Sequence, residues 1–166
     1  MDLLSDWTKA TRLLDAARTA ARPEDEAALL DAACELIDGH IAADAAPIHY
    51  AWLLQDPGTY TQMETALVDA AHRRAELALE AGNIPRAEWA ARKGLSVVEG
   101  QESLHRVRMR AAAEAGDTDG INAAFREAMR AAESYAFDEE VQPETLALYE
   151  NLTKRPSKAH LDSADQ

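Results

Sequence analysis

The fold is decided by a stretch that occurs twice, as LALEAGN at residues 77–83 and as AAAEAGD at residues 111–117. The glycines of the two copies, Gly82 and Gly116, lie 34 residues apart. Small or apolar residues also align downstream of them: Ala87 with Ile121, Ala91 with Phe125, and Gly94 with Ala128. Each copy predicts a helix, a tight turn and a second helix, because glycine commonly ends a helix and apolar residues recur at helical spacing on both sides.

A spacing of 34 residues is the period of tetratricopeptide repeats. A helix pair of this length cannot bury its own apolar side, so successive pairs stack and share a core, which leaves a concave surface for a partner. The sequence therefore predicts an all-α fold, a tetratricopeptide-like right-handed stack of antiparallel helix pairs with about seven helices.

The composition supports one helical domain. Of the 166 residues 47% are hydrophobic, and many of these are alanine, which is the best helix former. We predict that the domain covers residues 1–153. In residues 154–166, Pro, Ser, Asp and Lys replace the apolar periodicity, which predicts a disordered tail.

The charge of the chain argues against nucleic-acid binding. The formal net charge is −13, whereas a phosphate backbone must be met by clustered Lys and Arg. The one basic segment, residues 73–110, has 8 basic and 5 acidic side chains. Salt bridges to neighbouring acidic helices explain this segment, and an anion-binding patch is the alternative.

The single cysteine, Cys34, lies within an apolar helical stretch, which favours a packed thiol and a reducing compartment. No apolar run reaches the length of a membrane span, and the N-terminus does not resemble a signal peptide. We therefore expect a cytoplasmic protein without membrane contact.

The stretch from His40 to Gly58 is the least regular part of the predicted domain. It contains Pro47, the turn signal DPG at residues 56–58, and the aromatic residue Trp52. A long connection of this kind either packs under its own aromatic side chains or has a function. Trp52 is thus either an anchor on the helices or part of a small-molecule pocket under the loop.

No catalytic or metal-binding pattern is found in the sequence. His72 and Glu76 are four residues apart, but the second ligand pair that a di-metal helical bundle requires is missing. There is no glycine-flanked serine elbow and no glycine-rich phosphate loop. The sequence predicts a protein that is not an enzyme, with no cofactor and no metal.

Three arginines form the best candidate site in the sequence. Arg106 and Arg110 are four apart on one predicted helix, and Arg73 precedes the first glycine turn. Arginines on one helical stripe can bind a carboxylate or phosphate through a bidentate fork. Pairing of Arg106 and Arg110 with Glu102 or Glu114 is the alternative. With Trp52, these arginines are the predicted partner-binding residues.

Several motifs resemble the bacterial transcriptional activator domain, a tetratricopeptide-like helical module. They are AELALEAGN at residues 75–83, SLHR at 103–106, MRA at 109–111, and PET at 143–145 followed by LY at 148–149. The resemblance covers roughly residues 30–153. Residues from Asp6 onward look like the region that precedes the module in its LysM-linked actinobacterial versions. Two departures from the family pattern are Val98 to Gly100, where a proline is usual, and the acidic run before Pro143.

The resemblance implies a role in transcriptional regulation, through protein interaction or effector sensing. It supplies no catalytic residues. We expect a non-catalytic protein-interaction module whose concave helical surface binds a protein or peptide partner, or a second copy of the chain. The alternative is a small-molecule effector-sensing domain with a pocket under the 40–58 loop.

Overall fold

A computed structural model describes residues 3–39, 57–135 and 140–154 of the chain. These residues form seven helices, and the described ranges contain no strand: α1 Leu3–Arg18, α2 Pro23–Glu35, α3 Pro57–Glu80, α4 Ile84–Val97, α5 Glu102–Glu114, α6 Thr118–Tyr135 and α7 Pro143–Lys154. The predicted all-α fold is thus confirmed. The assignment of the stack to the tetratricopeptide class, and its right-handed twist, stay predictions.

Three helices begin at a proline: α2 at Pro23, α3 at Pro57 and α7 at Pro143. The start of α3 lies at the proline of the DPG signal that ends the irregular stretch in the sequence. Pro57 therefore opens the helix, where its missing N–H costs no hydrogen bond and its fixed φ already suits the helix. The second helix ends at Glu35, before Gly39, whose φ is +96°.

The two repeated glycines end their helices in the same way. Gly82 and Gly116 have φ of +68° and +71°, a region that L side chains rarely adopt. The next residue donates its backbone N–H to the carbonyl five positions back, from Asn83 to Ala78 and from Asp117 to Ala112, at 2.8 Å in both cases. This is the Schellman arrangement. The side chains of Asn83 and Asp117 then accept from the backbone N–H of Arg86 and Gly120, capping the following helices.

Consecutive helices pack as hairpins, α1 with α2, α3 with α4, and α5 with α6. The hairpins stack because α2 also packs on α3, and α4 on α5. In addition α5 contacts both α3 and α7, so these odd-numbered helices lie side by side, and α2 similarly contacts α4. The chain therefore forms a stack of helical hairpins with odd-numbered helices in one layer and even-numbered helices in the other.

Gly94 allows close approach where the two repeats meet. A Cβ at this position would lie 2.5 Å from Cδ1 of Leu104 and 2.9 Å from Cβ of Ala71. Gly94 and its repeat equivalent Ala128 are both buried, as the alignment predicts. Met129, the next residue, is instead exposed over 41% of its surface.

Some predictions concern residues that the structure does not describe. Trp52 and most of the 40–58 loop lie outside the described residues, as do residues 155–166 of the predicted tail. Its first residue, Lys154, belongs to α7, where its ammonium lies 2.8 Å from the carboxylate of Glu150 one turn earlier. None of the helices in the described ranges is both long and apolar enough to cross a membrane.

Candidate interaction face

The neighbouring helices α3 and α5 are joined on their outer side by Glu76 and Arg110. Nη1 of Arg110 lies 2.6 Å from Oε1 of Glu76, and the two residues are 34 positions apart. They are therefore equivalent residues of the two repeats. His72, one turn before Glu76, places Nε2 3.8 Å from the same carboxylate oxygen. We call the surface carrying His72, Glu76, Arg106, Arg110 and Gln142 the odd-helix face.

Arg106 links α5 to the start of α7. Its Nη1 donates to Oε1 of Gln142 and to Oγ1 of Thr145, both at 2.9 Å. Thr145 is buried, so the guanidinium reaches into the contact between the two helices. Both partners are uncharged, and within the described ranges no carboxylate forms an ion pair with Arg106. Within this part of the chain its positive charge is therefore oriented by hydrogen bonds but not neutralised.

Glu102 could have neutralised Arg106, being four residues earlier on the same helix. Instead both carboxylate oxygens of Glu102 accept from the backbone N–H of Gln142, at 3.0 and 2.9 Å. This carboxylate thus lies at the N-terminal end of α7, where the helix dipole favours negative charge. The predicted pairing of Arg106 with Glu102 is not formed, and Arg110 pairs with Glu76 and not with Glu114.

The third predicted arginine has a different orientation. Arg73 forms a two-pronged ion pair with Glu26 of α2, with Nε 2.7 Å from Oε1 and Nη2 2.9 Å from Oε2. The hydrogen bond from Arg73 lowers the pKa of the Glu26 carboxyl below its usual value, against a small opposing effect of burial. Arg73, Arg106 and Arg110 therefore contact three different helices, α2, α7 and α3, and of the three only Arg106 has no carboxylate partner among the described residues.

The basic segment also supplies two buried arginines that the sequence analysis did not identify. Arg108, 5% exposed, binds Glu88 of α4 and Glu127 of α6. Arg74 forms an ion pair with Asp31 of α2. Oδ2 of the same carboxylate lies 2.9 Å from Nη2 of Arg86. Salt bridging to neighbouring helices thus accounts for most of the basic segment.

A signal for these two arginines was present in the sequence. Extending the alignment of LALEAGN and AAAEAGD towards the N-terminus places Arg74 on Arg108. A charged residue that recurs at the repeat period next to small residues is a candidate for pairing between layers. The two arginines were not predicted as buried, because charged side chains usually face solvent unless they are paired.

Between α1 and α3 the odd-numbered helices leave a cleft of about 490 Å³. Trp7 and Leu14 of α1 line one side, and Gly58, Ala66 and Asp69 of α3 line the other. Gly58 lies at the start of α3, next to the stretch for which the sequence predicted a small-molecule pocket. Polar side chains make up much of the remaining lining, including two exposed carboxylates, Asp69 and Asp15, of which Asp15 pairs with Arg18.

The structure also describes two other candidate sites from the sequence, the His72–Glu76 pair and Cys34. The described ranges contain no group of three or more His, Cys, Asp or Glu side chains that could hold a metal ion, and His72 has only Glu76 as an ion-pair partner there. Cys34 is fully buried, and desolvation raises the pKa of its thiol to about 12. The thiol is therefore packed in the interior, as the sequence predicts. Its raised pKa leaves little thiolate, which is the nucleophilic form of cysteine.

Comparisons with protein-family models, curated proteins and solved structures found no match to this chain.

Proposed function

We propose that this chain is a non-catalytic protein-interaction module that binds a protein or peptide partner through the odd-helix face. On this proposal the odd-helix face corresponds to the concave surface that the repeat period predicts. The partner presents a carboxylate, from an Asp or Glu side chain or a chain terminus, to the guanidinium of Arg106.

The observation that carries this proposal is the uncompensated charge of Arg106. Its guanidinium is oriented by Gln142 and Thr145 but has no counter-ion among the described residues. Fixing an arginine in advance reduces the side-chain entropy lost on binding, and a planar guanidinium suits a carboxylate in particular. Neighbouring Arg110 and Glu76 neutralise each other, so they add hydrogen-bonding groups without repelling an acidic partner.

The cellular setting we propose is a bacterial transcriptional regulatory system. This part rests on the resemblance of residues 75–83, 103–111 and 143–149 to the bacterial transcriptional activator domain. The net charge of −13 supports a role without direct DNA contact, so that any DNA binding would come from a partner.

The binding face can be tested with peptides selected from a random display library on the full chain. Selected peptides should be acidic, and the Arg106→Gln variant should bind them about tenfold or more weakly by calorimetry, because a hydrogen bond to a charged group is lost. The matched control is Arg126→Gln, an exposed arginine on the even-numbered helix α6. Equal affinities of the wild-type and Arg106→Gln proteins, with an unchanged helical spectrum, would refute the proposed face.

The regulatory setting needs a separate test in bacteria that express the chain. A photocrosslinking amino acid at Ser103, one turn before Arg106 on α5, would capture the bound protein for mass spectrometry. A DNA-binding regulator or a polymerase subunit would support this part. Reproducible capture of a protein unrelated to transcription would exclude it while leaving the interaction role in place.

Effector sensing is the second candidate function, and the cleft between α1 and α3 favours it. Its volume of about 490 Å³ lies within the range of small-molecule sites. A ligand there should raise the melting temperature and alter the fluorescence of Trp7, and Trp7→Ala should abolish the stabilisation. A metabolite screen in which every stabilising compound acts equally on Trp7→Ala would count against this site.

A further inference from the structure

The cleft between α1 and α3 is elongated. Its lining on α3 runs from Gly58 to Asp69, a length of about 16 Å at the helical rise per residue. On α1 the lining runs from Trp7 to Arg18, which is an equal length of helix. A molecule that fills this cleft of about 490 Å³ is therefore longer than it is wide.

Apolar side chains from both helices lie along the cleft. Leu14 of α1 is buried and packs in one apolar cluster with Ala66 of α3, so these two residues form the part of the wall where the helices meet. The half-buried indole of Trp7 lines the cleft two turns before Leu14. Together these side chains can cover the apolar body of a ligand.

Asp69 supplies an unpaired negative charge at one end of the lining. Its exposed carboxylate forms no ion pair and no hydrogen bond among the described residues. The basic residues that follow within one turn of α3 have other partners, since His72 lies beside Glu76 and Arg73 is paired with Glu26. Asp69 is therefore available to a cation from outside the chain.

The other two charged residues of the lining neutralise each other. Nη1 of Arg18 lies 2.9 Å from Oδ1 of Asp15 on the same helix. With this pair balanced, the carboxylate of Asp69 leaves the cleft with one unbalanced negative charge. The net charge of −13 on the whole chain also attracts cations and repels anions.

Hydroxyl groups next to Asp69 provide further acceptors. Thr65 precedes Asp69 by one turn of α3 and Thr61 precedes it by two, so the three side chains lie on one stripe of the helix. Both threonines are exposed. An ammonium group has three N–H donors, which a carboxylate and a neighbouring hydroxyl oxygen can accept together.

We propose that this cleft binds a small primary amine with an elongated apolar body. The body packs against Trp7, Leu14 and Ala66. The ammonium group pairs with the carboxylate of Asp69 and donates to the hydroxyl oxygen of Thr65. This proposal rests on the second candidate function, effector sensing in the same cleft, and it names the chemical class of the effector.

The test compares three compounds that share one skeleton and differ in the head group: phenylbutylamine, phenylbutanol and phenylbutyrate. Each is titrated into the full chain, and binding is followed by thermal shift and calorimetry. The amine should raise the melting temperature saturably. The neutral alcohol and the anionic acid should bind about tenfold or more weakly, because neither can form an ion pair with Asp69.

Asp69→Asn removes the charge and keeps the size of the side chain. It should weaken binding of the amine about tenfold or more, and it should leave any binding of the alcohol unchanged. The matched control is Glu133→Gln on α6, where the carboxylate is also exposed and has no ion pair in the described part of the chain. This control should bind the amine as the wild-type protein does.

Two results would overturn the proposed ligand class: equal binding of the amine and the alcohol, or an affinity for the amine that Asp69→Asn does not lower. If the alcohol or the acid then binds in a way that Trp7→Ala abolishes, effector sensing in the cleft is retained with another class of ligand. Failure of all three compounds to bind at millimolar concentration would also overturn the amine proposal, and the metabolite screen then decides the second candidate function separately.

Discussion

Arg74 and Arg108 are equivalent residues of the two repeats, and each is buried against a carboxylate of the preceding even-numbered helix, Asp31 for Arg74 and Glu88 for Arg108. Burial opposes the charged form of these carboxylates, yet the hydrogen bonds from Arg74 and Arg86 hold the pKa of Asp31 below its usual value. The pKa of Glu127 is likewise lowered by Arg108 in spite of burial. The same charged contact thus joins one hairpin to the next at two places.

Replacing Arg108 by methionine should destabilise the fold. The substitution keeps much of the side-chain volume but leaves Glu88 and Glu127 without their common partner. Both carboxylates are about one-third exposed, so we expect a loss of about 1–3 kcal/mol, less than when a fully buried pair is broken. Urea unfolding measures this loss. Arg126→Met, on the exposed side of α6, is the control and should change the free energy of unfolding by less than about 0.5 kcal/mol.

Replacing Gly94 by alanine should also destabilise the fold, although alanine is normally preferred in a helix. The added methyl would overlap Leu104 and Ala71, and overpacking of this kind costs about 1–3 kcal/mol. The double variant Gly94→Ala with Leu104→Ala tests the cause. If the contact with Leu104 is responsible, the two losses will be less than additive, whereas strictly additive losses would contradict the contact.

Stability should fall in two stages as the pH is lowered. Burial depresses the pKa of His105 in the folded state, so the unfolded chain takes up this proton first. Stability is therefore complete above the ordinary histidine value near 6.5, and declines as the pH falls through the lower folded value. His105→Gln should flatten this upper stage of a denaturation series, and an unchanged slope between pH 7 and 5 would contradict the assignment.

The second stage belongs to the carboxylates. Glu26, Asp31 and Glu127 have lowered pKa values in the folded state, so their contribution is present above the ordinary range near 4 and is lost at more acid pH. Arg73→Gln should weaken this acid dependence by freeing Glu26: stability should fall at pH above 6, where Glu26 is charged, and change little at the acid end, where Glu26 is protonated. Circular dichroism at a series of pH values measures both stages.

Cys34 should react slowly with thiol reagents in the native protein. The thiol is fully buried, and its pKa of about 12 leaves almost no thiolate at neutral pH. Labelling with Ellman's reagent should accelerate in proportion to the unfolded fraction as urea is added. Rapid labelling in the absence of urea would show that α1 and α2 open locally without global unfolding.

The repeat period carried most of the information on the fold. The glycines at 82 and 116 predict both turns, because a positive φ favours glycine at a helix end, and the structure has the same hydrogen bonds at each. The start of α3 at Pro57 was less predictable, because Asp-Pro-Gly resembles a turn and also suits the first turn of a helix.

The candidate sites were less predictable. The spacing of Arg106 and Arg110 places them on one side of α5, but it does not tell which neighbour binds each guanidinium. That depends on the stacking of the hairpins, which brings Glu76 to Arg110 and Gln142 to Arg106. The burial of His105 was equally hidden, because its hydrogen-bond partner is the backbone carbonyl of Glu99.

The division of the arginines between the interior and the outer surface has an evolutionary consequence. Arg74 and Arg108 join the hairpins from within, whereas Arg110 forms a partly exposed ion pair with Glu76, and pairs of this kind add little to stability. On the proposed function, mutations at such an outer position change what the chain recognises without unfolding it. Such a scaffold can diverge quickly in specificity while its architecture is preserved.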